Sequence, residues 1–314
     1  MGVIQFFQIE IPGKSKPLGS LAREMTLVKL KNIRVSVDTP NMIYAAILAM
    51  QHITALSDDN GKTTAHINTI WSKILQLDGA GITQIWVFDS PKSNPLKKAE
   101  QARRRERAYN SADPKVQFRM NSEHVEDIKT LLRLMGITYI EAPEGIEAEQ
   151  YGAWMSKGPV ASARFCQYMI SADSDVLAFG GNLIRPYQKP SATGKSKRLV
   201  YQVFELEDIL SETGLTHDQF LNMCVCMGTD FCDKTPGLGV KTAINKAKTN
   251  HLTLNPQQQT VKDYFKSKPQ TATSDATFSS YDPEGLVQFL MSRKFNEERV
   301  RETMKKFPKV QQSL

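Results

Sequence analysis

The chain of 314 residues has no apolar run approaching the roughly 18 to 20 residues that a membrane-spanning helix needs. Its opening, MGVIQFFQIE, lacks the basic-then-apolar layout of a secretory signal, so an intracellular protein without membrane partners is the expectation. Cysteine is scarce. The four residues are Cys166, Cys224, Cys226 and Cys232, three of them in the mostly apolar stretch LNMCVCMGTDFC. No C-x2-C pair with further Cys or His partners accompanies them, which argues against a zinc site and predicts buried free thiols. Internal repeats and low-complexity tails are also missing. Acid is not in overall excess: 40 Lys and Arg against 33 Asp and Glu give a net charge of +7, which suits a polyanionic partner without requiring one. With 40% hydrophobic residues the chain can bury a sizeable core.

The acid that is present falls in a pattern. Three β-branched or aromatic runs each end in an acidic residue: NIRVSVD at Asp38, ITQIWVFD at Asp89, and FCQYMISADSD at Asp173 and Asp175. Helical periodicity over 41–56, 64–77 and 124–135 lies between them, and strand-helix-strand order predicts an α/β fold with a mainly parallel sheet covered by helices. In such sheets sites form at the carboxyl ends of the strands, where these Asp residues fall. Stretches 188–198 and 266–285 read as loops, and the chain from Leu206 onward reads as helical, broken by a Gly-punctuated turn at TPGLGVKTA. Neither loop is long enough to separate domains. The expected division is an N-terminal region 1–110 and an internal region 111–314 within one compact unit.

Cleaving a phosphodiester requires a nucleophile to approach an anion, and nucleases often meet this with two divalent ions about 4 Å apart, one generating hydroxide and one stabilising the leaving oxygen. Magnesium takes hard oxygen ligands, and manganese accepts the same set. Asp38, Asp89, Glu147, Glu149, Asp173, Asp175 and Asp230 are the candidates. Any one of them alone would read as a helix N-cap or a solvated loop end. The pairs Glu147/Glu149, opening a helix in APEGIEAEQYGAW, and Asp173/Asp175 in ISADSD are less ordinary, because crowded carboxylates repel unless cations neutralise them.

These residues and their spacing resemble the flap endonuclease/XPG family of structure-specific 5′ nucleases. The likeness runs through VSVDTPNMIYA, GKTTAHI, GITQIWVFDSPKSNPLKKAEQARRRERA, LLRLMGITYIEAPEGIEAE, ISADSDVLAFG, CMGTDFCDKTPGLGVKTA and FNEERVRETMKK. It implies a PIN-like (Rossmann-like) fold and a two-metal magnesium nuclease in which all seven carboxylates serve as ligands, with Asp173 and Asp175 central to catalysis. It also implies that Lys97 and Arg104, two turns apart on a basic helix, stabilise charge developing on the scissile phosphate. Without the resemblance, that run would be a solvated helix face. Arg103, Arg105 and Arg107 would add phosphate contacts, Tyr44 would stack on a substrate base, and Lys73 would face DNA. A helix-two-turn-helix element over 218–250, with Gly237, Gly239 and Lys241, would grip duplex DNA beside a potassium ion near Lys234 and Thr235.

Departures from the family set further expectations. Only 28 residues separate Arg107 from Gly136, too few for the capped helical arch that selects free 5′ ends, so nicks, gaps, junctions and exonucleolytic cutting join 5′ flaps as substrates. Gln51 stands where well-known members carry a DNA-contacting arginine. The end KKFPKVQQSL carries no sliding-clamp motif, and a monomer is expected. Two other readings remain open: a 5′-acting ribonuclease of PIN-like type, against which the duplex-gripping turn counts, and a non-catalytic DNA-junction binder, against which the complete carboxylate set counts.

Overall fold

The computed structural model describes residues 2–14, 16–50, 57–58, 61–92, 94–111, 120–158, 160, 165–191, 197–269, 276–277 and 279–305, and leaves aside the side chains of residues 107 and 108. The expectations attached to Gln51, to Arg107, to part of the shortened arch and to the last residues therefore lie outside what it describes.

A small hairpin of β1 (Glu10–Ile11) and β2 (Lys16–Pro17) precedes β3 (Arg23–Met25). The central unit follows with β4 (Arg34–Asp38), α1 (Thr39–Met50), α2 (Ala65–Gly79) and β5 (Thr83–Phe88). Next come α3 (Lys98–Tyr109), α4 (Ser122–Leu134), β6 (Tyr139–Glu141), α5 (Ala148–Met155), β7 (Tyr168–Ile170) and the single turn α6 (Asp175–Ala178). A ribbon of β8 (Leu183–Pro190) and β9 (Lys197–Phe204) leads into α7 (Leu206–Thr213), α8 (His217–Met227), α9 (Ala243–Lys248) and α10 (Pro256–Lys266). The chain closes with β10 (Ala276–Thr277), α11 (Pro283–Ser292) and α12 (Glu297–Met304). No described helix is long and apolar enough to cross a membrane.

Eight strands form one sheet in the order β10-β6-β5-β4-β7-β8-β9-β3. The middle five are parallel, and the remaining pairings are antiparallel. β4 and β5 are buried along nearly their whole length because helices cover both faces, the usual condition of a parallel sheet. This is the mainly parallel α/β architecture that the three acid-ended runs predict. Ile43 and Ile47 of α1 and Ile67, Ile70 and Ile74 of α2 pack against Trp86 and Phe88. α5 covers Ile85 and Val87, and a third core joins α8 to Phe179 and Phe265. All four cysteines are buried and free, three of them in that third core.

Two details differ from the sequence reading. β10, two residues long, pairs with β6 inside a stretch that reads as loop and helix, since an element so short has no periodicity to detect. The helix that the sequence places from near Val240 starts at Ala243. The turn ahead of it is longer than its glycines alone indicate.

What this topology does for function is local. From β4 the chain moves outward to β5 and β6, then returns to β7 on the other side of β4. The strand order reverses beside β4, and in such sheets sites form at the carboxyl ends there. Asp38 ends β4, Asp89 follows β5, and Asp173 and Asp175 follow β7.

Candidate active site

Each acidic residue is held by the element that ends or begins at it. Asp38 accepts the Ser171 hydroxyl (2.7 Å) and the Asn41 amide (3.1 Å), capping the start of α1 while facing β7. Asp89 accepts the Ala148 amide (2.8 Å), which ties the end of β5 to the first turn of α5. Glu147 is the N-cap residue of α5 and Glu149 lies in its first turn, so the helix dipole favours negative charge at both. Asp173 accepts the Asp175 amide (2.9 Å), and its own amide donates to Ser171 (3.0 Å). Ser171 thus fixes acids from two strands.

The acids converge. Ligand oxygens of Glu149, Asp173 and Asp175 lie within 4.8 Å of one another, and all three residues are buried. Asp175 is fully buried, and neither of its carboxylate oxygens has a hydrogen-bond partner. A buried ionisable group without a partner is costly, and a divalent cation supplies what such oxygens lack.

Electrostatics report the same crowding. Burial, then the Glu149 charge, raises the Asp38 carboxyl well above the ordinary range. Burial and Glu149 push Asp173 up to about 7, and burial with Asp173 and Asp230 nearby raises Asp175 strongly. Glu147 is pushed up to about 9 by burial and by Glu149. Asp89 keeps one edge open to solvent, yet surrounding protein and Glu149 carry it up to about 6. Glu149 is the exception: burial opposes its charge, but the Lys97 ammonium wins and holds its pKa below the usual value.

Two cations reach the cluster from the basic segment. Asn94 caps the 3-10 turn Pro95–Lys97, which delivers Lys97 just ahead of α3 rather than on it. The ammonium sits 2.5 Å from Glu147 and 2.9 Å from Glu149, with the Phe231 ring beneath it at 4.8 Å. Burial opposes the lysine charge, but Glu149, Glu147 and Asp230 hold its pKa well above the usual lysine value. Arg104, on α3, donates to Asp230 (2.6 Å) and to Glu100 (3.0 Å). Lys97, Arg104 and the acids therefore form one connected set.

Arg103 joins the edge of that set through Glu100 (3.4 Å), which it shares with Arg104, and the other sequence candidates stand apart. Arg103 pairs with Asp233 at 2.7 Å, and Arg105 is exposed on α3. Tyr44 lies half-buried in the second turn of α1, the helix that leaves Asp38. Lys73, on α2, donates to the Tyr201 hydroxyl (2.7 Å), and burial lowers it to about 8. Gly237, with φ of 72°, makes the turn before α9, and Lys241 is exposed beside it.

Two neighbours escaped the sequence reading. Gly2 has φ of 86°, and a methyl there would collide with the Asp173 carboxylate and the Ser174 hydroxyl, so only glycine lets the N-terminal segment pass so close to the acids. Phe231, which supports Lys97, follows Asp230 directly. Gly2 in MGV was the available signal for the first, but nothing local marks the second.

Comparisons with known proteins agree with this arrangement. The XPG N-terminal domain profile matches residues 10–111, and the XPG I-region profile matches residues 136–230. A flap endonuclease 1 from Drosophila mojavensis is 30% identical over 96% of this chain and 86% of its own length. Flap endonuclease 1-A from Xenopus laevis is 28% identical over 89% and 80%. Among solved structures, flap endonuclease-1 from Methanococcus jannaschii superposes with a TM-score of 0.70 at 24% identity, covering 91% of this chain and 95% of that one. The catalytic core of Rad2 with a DNA substrate reaches 0.70 at 20% identity, covering 98% and 100%; these two likenesses speak for the fold. With both XPG regions matched and a flap endonuclease aligned over nearly its whole length, the chain belongs to the flap endonuclease/XPG family.

Proposed function

We propose that the protein is a magnesium-dependent, structure-specific 5′ nuclease that cuts DNA near junctions of single and double strand, at 5′ flaps, nicks and gaps. The observation that carries this reading is the fully buried Asp175 carboxylate, unpartnered on both oxygens, beside Glu149 and Asp173. Asp38, Asp89, Glu147 and Asp230 complete the proposed ligand set for two ions, and manganese would fit the same oxygens. When bound, such ions supply an activated water and neutralise charge on the leaving oxygen.

The chain's own groups do the rest. Lys97 and Arg104 now neutralise Glu147, Glu149 and Asp230, and they are the cations nearest to where a scissile phosphate would meet the acids. Exchanging a carboxylate partner for a phosphate oxygen lets the same two groups hold the phosphate and stabilise charge that develops on it. Arg103, Arg105 and Arg107 would position the single strand, and Tyr44 would stack on a base. Lys73 is placed last among the substrate contacts, because its ammonium already serves Tyr201. Gly237, Gly239 and Lys241 would hold duplex DNA away from the cut, with potassium as the ion for that turn. We further propose that it acts as a monomer.

End-labelled flap, nicked, gapped and single-stranded DNA, and RNA, incubated with and without magnesium, test the reading. Cleavage of branched DNA only with magnesium is expected. Binding without cutting would make the protein a junction binder, and cutting of RNA alone would make it a ribonuclease.

A further inference from the structure

The N-terminal segment traces a path from the acids to the turn ahead of α9. Gly2 lies against Asp173, the Ile4 amide donates to the Gly228 carbonyl (2.8 Å), and the Glu10 amide donates to the Val240 carbonyl (2.9 Å). Ile9, Ile11 and Leu18 are buried in the same core as Leu238 and Ala243, so the base of the β1–β2 hairpin is cemented to the turn.

The outer end of the hairpin is different. Gly13, Lys14 and Lys16 are exposed, and a side chain built on Gly13 would meet nothing within 4 Å. Lys16 is paired opposite Ile11, one residue beyond the strand position bonded to Val240. A step of about 5 Å from Val240 to Glu10, about 3.8 Å along the strand to Ile11 and about 5 Å across the pair put the Lys16 backbone within about 14 Å of Val240. Positive charge predominates over this surface, flanked by Glu10 at the Val240 contact and by Asp233, which pairs with Arg103. Residues 234–248 hold Lys234, Lys241, Lys246 and Lys248 with no acid, and residues 11–18 hold Lys14 and Lys16 with no acid. Glu212 of α7 also meets it, in an exposed ion pair with Lys14.

We infer that the β1–β2 hairpin is a second phosphate-contacting element for duplex DNA, extending the grip of the 237–241 turn through Lys16 and through Lys14 once it leaves Glu212. The inference rests on the proposed DNA reading. B-DNA presents a phosphate about every 3.4 Å of axis on each strand, so an arm held at Lys241 passes further phosphates within about 14 Å. An exposed ion pair is weak because solvent and salt screen it, so Lys14 exchanges Glu212 for a phosphate at little cost.

The test measures binding of nicked duplex DNA with long or short arms, in EDTA, over a range of salt. It uses the wild type, Lys16→Glu, the double variant Lys14→Ala/Lys16→Ala, and Glu212→Gln, with thermal melts to establish that each variant is folded. For the long arm, the double variant is expected to bind several-fold more weakly, with a slope of log affinity against log salt shallower by about 1.8, at about 0.9 per phosphate lost. Lys16→Glu weakens binding further, and Glu212→Gln strengthens it. On an arm too short to reach the hairpin the four proteins bind alike, and single-turnover cleavage at saturating DNA and magnesium is unchanged. Long-arm affinities and slopes equal to wild type in all three variants would overturn the hairpin's role while leaving the nuclease reading in place. A wild type that binds no DNA overturns both.

Discussion

Two buried acidic sites in this molecule behave in opposite ways. At Asp127 of α4, one carboxylate meets two partners: the His66 ring Nε2 at 3.1 Å and the Arg293 guanidinium at 2.6 Å. Burial alone would raise the Asp127 carboxyl, but His66 and Arg293 hold it below the usual carboxylate value. At the carboxyl edge of the sheet, the cations Lys97 and Arg104 face seven acids, and Asp38, Asp89, Glu147, Asp173 and Asp175 are all raised. Burial is common to both sites. The difference lies in the balance of charge: the first site is complete and structural, whereas the second lacks positive charge that the chain itself does not provide.

The largest test of that contrast removes acids from the unbalanced site. In Asp173→Asn/Asp175→Asn, loss of several kcal/mol of transition-state stabilisation predicts a fall in cleavage of at least about 10³-fold. Melting separates this from a general defect. Magnesium or manganese should raise the Tm of the wild type, by about 2.7 kcal/mol of stability at a hundred times the dissociation constant, and leave the double variant unmoved. An equal rise in both proteins would mean that the ions bind elsewhere.

Lys97→Ala comes next. The Lys97 side chain is 12% exposed, and removing it leaves Glu147 and Glu149 facing each other without their cation. About 3 kcal/mol of stability should be lost in the metal-free protein, as when one member of a buried ion pair is deleted. Turnover should fall about 10²- to 10³-fold with DNA affinity mostly intact, and Arg104→Ala should lose turnover in the same way. Single-turnover rates set against binding isotherms check the split. A pure affinity loss would move both residues from the reacting phosphate to the positioning of DNA.

Much of the unbalanced site was legible in the sequence, and the balanced one was not. Asp38, Asp89, Asp173 and Asp175 could be placed because each ends a short apolar run, and parallel topology sends all such ends to one edge. Glu147 and Glu149 were visible as the opening of a helix. Contacts made by chain return left no such trace. Gly2 against Asp173, Lys73 against Tyr201 and Arg293 against Asp127 join residues more than 120 positions apart, and no periodicity encodes which distant side chain answers a given charge. Lys73 shows the consequence: by its place in the chain it reads as a DNA contact, while its ammonium is engaged within the fold.

Asp127→Asn probes the complete site from the other side. Losing hydrogen bonds to a charged partner should cost about 1.5 to 3 kcal/mol at neutral pH, read from urea denaturation, with cleavage unchanged. Because the folded carboxyl lies below its unfolded value, its contribution is present above the ordinary carboxylate pKa and is lost as pH falls through the folded one. The gap between wild type and variant should therefore close in acid, below the ordinary aspartate range. A gap independent of pH would show that packing around Asp127, rather than its charge, holds α4 to Arg293.

Arg103→Ala should have the smallest effect, and it bears on the comparison because Arg103 is close to Arg104 in sequence yet differs in surroundings. Its side chain is 47% exposed and that of Asp233 is 73% exposed, so this pair is screened by solvent and salt, and its second acid, Glu100 at 3.4 Å, is also held by Arg104. Stability should change by no more than about 1 kcal/mol, in contrast to Lys97→Ala. If the guanidinium leaves Asp233 for a DNA phosphate, the salt slope of binding should become shallower by about 0.9 while the saturated cleavage rate stays constant. A drop in that rate would place Arg103 with Lys97 and Arg104 at the acids, so that exposure in the DNA-free protein would no longer separate residues that position the strand from those that act on it.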